Sequence, residues 1–157
     1  MKDKNKKSII IILVLFCSSI SFLILFFQLP VEIIDVHNDG NYSSVLVKNF
    51  PLTDKGKIKW WLKNQDSLKR RYSIPKPASY GSFTIIFWDF SNGYKEDNKY
   101  DMFCFEDMNT KKNCIEKKTL FKVTRNKFDE KSILFITYEG RYKLKDNGDI
   151  VKVKREE

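Results

Sequence analysis

Charge is absent from the chain between Lys7 and Glu32 and recurs within a few positions almost everywhere after that. The uncharged stretch from Ser8 to Leu29 is dominated by Ile, Leu and Phe. At about 1.5 Å rise per residue, a helix of that length covers the roughly 30 Å hydrocarbon core of a bilayer. The pattern predicts one membrane-spanning helix. Pro30 ends it, because proline disfavours helical geometry in the residue before it and removes a hydrogen-bond donor. Lys2, Lys4, Lys6 and Lys7 precede the span, with only Asp3 in opposition. Basic flanks stay on the cytoplasmic side, which makes residues 1–7 a cytoplasmic tail, 8–29 the span and 31–157 an exported, periplasmic domain of an inner-membrane protein. A cleaved signal peptide fits less well, since cutting after Ser21 leaves Phe22 to Phe27 as a greasy new terminus. Lipid attachment at Cys17 meets the bulky Phe16 where a small residue is wanted, so Cys17 reads as a residue within the span.

Beyond the span the hydrophobic period changes twice. Val31 to His37 and Tyr42 to Phe50 flank Asp39-Gly40 and read as a hairpin, the Asp-Gly pair supplying the turn geometry. Thr53 to Tyr72 reads as a helix, with Thr53 as cap, Asp54 at the positive end and Lys69, Arg70 and Arg71 in the last turn, before Pro75 and Pro77. Ile58, Trp61, Leu62, Leu68 and Tyr72 recur at helical spacing and share a face, while Lys57, Lys59, Lys63 and Lys69 lie largely off it. Gly56 costs the first turn about 1 kcal/mol against alanine. Downstream, Ser82–Phe90, Tyr100–Phe105, Ile115–Thr124, Ser132–Tyr138, Arg141–Lys145 and Ile150–Val153 read as strands, with turns at Ser91-Asn92-Gly93 and Asp146-Asn147-Gly148. The expected exported part is one α+β domain, an antiparallel sheet with one amphipathic helix packed on it.

Composition narrows the function without naming it. The chain is 42% apolar, enough to build a core and to exclude a disordered or low-complexity chain. Its net charge is +9, and removing the tail's four lysines and one aspartate leaves the rest near +6. Lys57 to Tyr72 mixes bases and aromatics as nucleic-acid binders do, but an exported domain meets anionic headgroups, acidic envelope polymers and other proteins instead. Cys104 and Cys114 flank a polar stretch between two predicted strands, and in an oxidising compartment a disulfide is expected there, stabilising by about 2 to 3 kcal/mol.

Catalytic constellations are hard to assemble from these residues. His37 is the single histidine, too few for a conventional zinc hydrolase, and no serine sits in a Gly-x-Ser-x-Gly setting. A cysteine nucleophile paired with His37 lacks any motif that lowers a thiol pKa, and the glycines are too scattered to cradle phosphate. Glu96, Asp97, Asp101, Glu106 and Asp107 could bind calcium or act as paired carboxylates, yet they alternate with Lys95 and Lys99 as a solvated face does. Asp89, between Trp88 and Phe90, is the acid whose burial could make it functional. No catalytic, metal or cofactor set emerges. Trp60 and Trp61 point about 100° apart on the helix, so Trp60 is expected to be an exposed aromatic anchor unless a flanking loop covers it.

Particular strings carry a family likeness. Val31-Glu32-Ile33 through His37, Gly40 through Pro51, Thr53 through Ile58 with Trp60-Trp61, Ile74 through Pro77, Phe87-Trp88-Asp89-Phe90 and Cys104-Phe105 to Asn113-Cys114-Ile115 together resemble a family of small enterobacterial membrane proteins catalogued only as a domain of unknown function. The likeness spans roughly residues 30 to 118 and implies an inner-membrane protein with a periplasmic domain, with no activity to carry to any residue. The leading expectation is a non-enzymatic binding module for another envelope protein or an anionic envelope polymer, with Trp60, Trp61, Lys57, Lys59 and Arg71 as contacts. The alternatives are an immunity protein against a periplasm-acting toxin, a cell-wall enzyme using Asp89 with Glu106 or Asp107, and a structural subunit assembled through Ser18, Ser19 and Ser21.

Overall fold

The computed structural model describes residues 11–19, 29–98, 100–126, 132–145 and 147–154. The chain forms two compact units, Met1–Pro30 and Val31–Glu157. In the first, residues 11–19 are helical (α1) and exposed throughout, with Ile11 to Phe16 presenting an unbroken apolar surface. Positions 8–10 and 20–28 of the expected span lie outside the described residues. Among those described, no helix is long and apolar enough to cross a membrane. Ser18 and Ser19 both donate to the Leu15 carbonyl oxygen within their own helix, at 2.9 and 2.8 Å.

The second unit opens with the expected hairpin, β1 (Glu32–Asp39) against β2 (Tyr42–Lys48), turning at Gly40, where φ is +56°. A register shift between Ile33 and Asp35 leaves Ile34 as an extra residue in β1. This bulge puts Ile33 and Val36 on one face of the sheet and sends Asp35 and His37 to the other. Helix α2 (Asp54–Tyr72) starts at Thr53, whose side chain accepts from the Gly56 amide, and ends where left-handed Ser73 donates to the Lys69 carbonyl oxygen. Gly56 belongs to that cap: a Cβ there would lie 2.8 Å from Thr53 Oγ1 and 3.1 Å from Pro51 Cβ.

The helix returns the chain to the same end of the sheet, so β3 (Phe83–Asp89) pairs parallel with β2, where an all-antiparallel sheet was expected. Strands β4 (Met102–Cys104) and β5 (Cys114–Glu116) then form a small separate sheet. The run Ile115–Thr124, expected as one strand, is divided because the Lys118 amide turns back on Glu116 O while Lys118 O accepts the Asp89 amide. Strand β6 (Thr119–Arg125) follows, then β7 (Leu134–Ile136), β8 (Arg141–Leu144) and β9 (Ile150–Val153), all antiparallel. The large sheet runs β1-β2-β3-β6-β7-β8-β9.

Strand alternation divides the residues between two faces. One face carries Val45, Val47, Ile85, Phe87, Phe121, Val123 and Phe135, which bury Ile58, Trp61 and Leu68 of α2. Asp54 clamps the helix start to the far strands, accepting from Thr137 Oγ1 and Tyr142 Oη, each at 2.7 Å. The other face carries Leu46, Ile86 and Trp88 at the β2–β3 side, and there β4–β5 packs through Phe103, Phe105 and Ile115.

The Asp54 bond, with burial second, pushes the Tyr142 phenol up to about 12 from an ordinary 10.0. A raised pKa gives stability that is fully present below pH 10 and is lost as pH climbs towards 12. Thermal melts of wild type should therefore fall more steeply across that window than those of Tyr142→Phe, and parallel curves would refute the clamp's contribution.

Candidate functional site

Among the described residues, β4–β5 covers only the β1–β3 half of its face, and nothing covers the β6–β9 half. Residues paired in register point the same way, which places Thr84, Thr124, Leu134 and Lys143 in one row and Lys122, Ile136, Arg141 and Val153 in the next. All of these but Ile136 line a groove of about 780 Å³ that also takes in Asn41, Tyr42, Ser82, Arg125 and Lys154. Lys122, Arg125, Arg141, Lys143 and Lys154 contribute cations, and the described lining holds no carboxylate. Arg125 is positioned from two sides: its Nε donates to Gly81 O at 2.8 Å, and its guanidinium lies 5.0 Å from the Phe83 ring centroid.

A second constellation joins the two sheets. His37, only 8% exposed, stacks on Phe105 at 3.8 Å between ring centroids. Its Nδ1 lies 2.8 Å from Asp107 Oδ2 and its Nε2 2.7 Å from Tyr94 Oη, while Tyr94 Oη donates to Asp35 Oδ2 at 2.9 Å. Tyr94 has one proton and two acceptors. Tyr94 gives that proton to Asp35, and the two ring nitrogens of His37 meet Asp107 on one side and the Tyr94 oxygen on the other. Burial first, then the Asp35 hydrogen bond, holds the Tyr94 phenol far above its ordinary range. This chain, His37 included, ties β1 to the segments before β4 and after it.

The residues singled out from sequence are scattered across the domain. Trp61 is 1% exposed in the core, and Lys57 is buried with its ammonium 3.8 Å from Asp54. Neither can be a surface contact, which corrects the sequence expectation for both. Trp60 is half-buried, packed edge-on against Phe50 and Phe87, because the loop before α2 folds Phe50 over that flank. Lys59 and Arg71 are exposed. Cys104 and Cys114 face each other in β4–β5 and are disulfide-bonded. Asp97 lies near their sulfurs, but atoms joined in a disulfide offer no thiolate to a metal.

The acids are equally dispersed. Asp89 accepts from Lys118 Nζ and Ser91 Oγ, both at 2.5 Å. Burial alone would raise its pKa, but these bonds outweigh burial and hold the carboxyl below its usual range. Asp101 pairs with Lys117 and Asp107 with His37, while Glu96 and Glu106 are solvent-facing or partly so.

Residues 2–154 match the family described as enterobacterial putative membrane protein (DUF943). The chain belongs to this family. The matched residues take in the apolar N-terminal stretch and the C-terminal strands that line the groove, well beyond the span of roughly 30 to 118 expected from the sequence. That description assigns the domain no function. No curated protein and no solved structure matches the chain. The groove cations were missed in the sequence, although Phe121-Lys122-Val123 and Arg141-Tyr142-Lys143 show the alternation that puts bases on the face opposite a core.

Proposed function

We propose that this family member is a single-pass inner-membrane protein whose periplasmic domain is a non-enzymatic binding module, and that the open basic face of the large sheet is its binding surface. The observation that carries the reading is the groove itself, lined by five cations, of which Lys122, Arg141 and Lys143 stand on the sheet face that the second sheet leaves uncovered. The exposed apolar surface of Ile11 to Phe16 supports burial of that segment in lipid. Binding is favoured over carboxylate chemistry because Asp89 is engaged by Lys118 and Ser91, and the single histidine has both ring nitrogens occupied.

The test is photo-crosslinking in intact cells, with a photoreactive residue replacing Tyr42 or Lys154 at the groove or Lys59 or Arg71 on the helix. Adducts from the groove positions are expected. Adducts confined to the helix positions would move the surface to α2, and none from any position would remove the binding reading. A reporter fused after Glu157 should be active only outside the cytosol; activity inside would overturn the orientation.

A further inference from the structure

We infer that the groove binds an acidic glycan, an extended saccharide carrying several carboxylate, phosphate or sulfate groups. The inference rests on the binding reading above and names the ligand class for the same surface. Lys122 and Arg141 both pair in register with Ile136, from opposite sides. They therefore stand two strand spacings apart, about 10 Å, and Lys143 is two residues from Arg141 along β8, about 7 Å. Cations at such separations suit a ligand with several spaced charges better than a single small anion. Among the described residues, no carboxylate lies within 4.0 Å of Lys122, Arg141 or Lys154 to neutralise its charge.

Polar and aromatic neighbours point to a sugar scaffold over a peptide or a bilayer. Thr124 Oγ1 lies 3.0 Å from Phe83 O and 2.9 Å from Thr84 Oγ1. With the Thr124 proton given to the carbonyl and the Thr84 proton to Thr124, the Thr84 oxygen is left as an acceptor for a donor such as a sugar hydroxyl. Ser82 and Asn41 are bonded to each other at 3.1 Å along the same wall, and Tyr42, 57% exposed, offers a ring face at the rim. A protein partner would be anchored by large apolar groups in desolvated pockets, and the described floor here offers only Leu134 and Val153, with Ile136 beside them, among many polar groups. A bilayer would need a convex or flat basic surface, not a concave one.

The experiment uses the full chain in phosphatidylcholine nanodiscs, titrated with a heparin-derived hexasaccharide, with maltohexaose as the neutral probe and phosphatidylglycerol vesicles as the lipid probe. The acidic hexasaccharide should bind, more weakly as salt rises, and maltohexaose should not. Lys122→Glu with Arg141→Glu should weaken binding at least ~10-fold. Lys59→Glu with Arg71→Glu changes the net charge equally and should stay within about twofold of wild type. If the groove pair fails to fold, Lys122→Gln with Arg141→Gln should still weaken binding severalfold. Equal loss from both pairs, equal binding of maltohexaose, or capture of vesicles without the hexasaccharide would each overturn the inference. Absent hexasaccharide binding with groove crosslinks retained in cells would reject the acidic glycan alone; loss of both would take the binding reading with it.

Discussion

Trp61→Ala should cost the domain about 3 to 5 kcal/mol, the range for deleting a large aromatic side chain from a packed core. Trp61 is 1% exposed and meets Phe87 edge-on at 6.2 Å between ring centroids, within a cluster that includes Ile58, Leu68 and Phe135. Removing the indole leaves a void that neighbours from a sheet and a helix cannot jointly close, so the cavity penalty adds to the lost burial. Lys59→Ala, two residues away on the opposite side of the helix and exposed, should change stability by less than about 0.5 kcal/mol. Trp60→Ala should fall between them, because that ring is only partly buried where it packs on Phe50 and Phe87. Urea unfolding of the full chain in detergent micelles, followed by near-ultraviolet circular dichroism, orders the three. A Trp60→Ala cost equal to that of Trp61→Ala would mean that α2 docks through a different face.

What could be read from sequence and what could not divide along the range of the interactions. Thr53, Asp54 and the basic last turn mark both ends of α2 because capping and dipole effects act within one turn of the residues that cause them. The Asp39-Gly40 turn and the strands beside it are local for the same reason. The β1 bulge is not local: nothing in Ile33-Ile34-Asp35 says which residue is extra until Leu46 and Val47 fix the pairing. The groove depends on β6 lying beside β3 and on β8 lying two places further out, a strand order that alternation cannot supply. Lys122 and Arg141 were therefore visible as bases opposite a buried stripe, but their shared row was not. The helix attracted attention instead, where adjacent tryptophans and lysines look like a contact surface until Phe50 is found covering one flank.

His37 illustrates the same limit at the level of a single residue. Alone in the sequence it invites a search for a nucleophile or a metal, yet its partners are Tyr94 and Asp107, 57 and 70 residues away. His37→Ala should destabilise the attachment of β4–β5 by about 2 to 4 kcal/mol, combining a cavity beneath Phe105 with the loss of a charge-assisted contact. His37→Phe separates the two contributions. It keeps a ring against Phe105 but removes both nitrogens, and because the Asp35 and Asp107 side chains are 46% and 53% exposed, water can take over much of their solvation. Its cost should accordingly be smaller, about 1 to 2 kcal/mol, most of it from the part-buried Tyr94 hydroxyl losing one partner. The damage should also be regional. Amide hydrogen exchange should accelerate at β4 and β5 while β3 and β6 stay protected, since the opposite face of the sheet keeps α2 in place. Uniform acceleration across both sheets would show that His37 supports the whole core, and no acceleration at β4–β5 would show that the disulfide and the Phe103, Phe105 and Ile115 packing hold the small sheet without it.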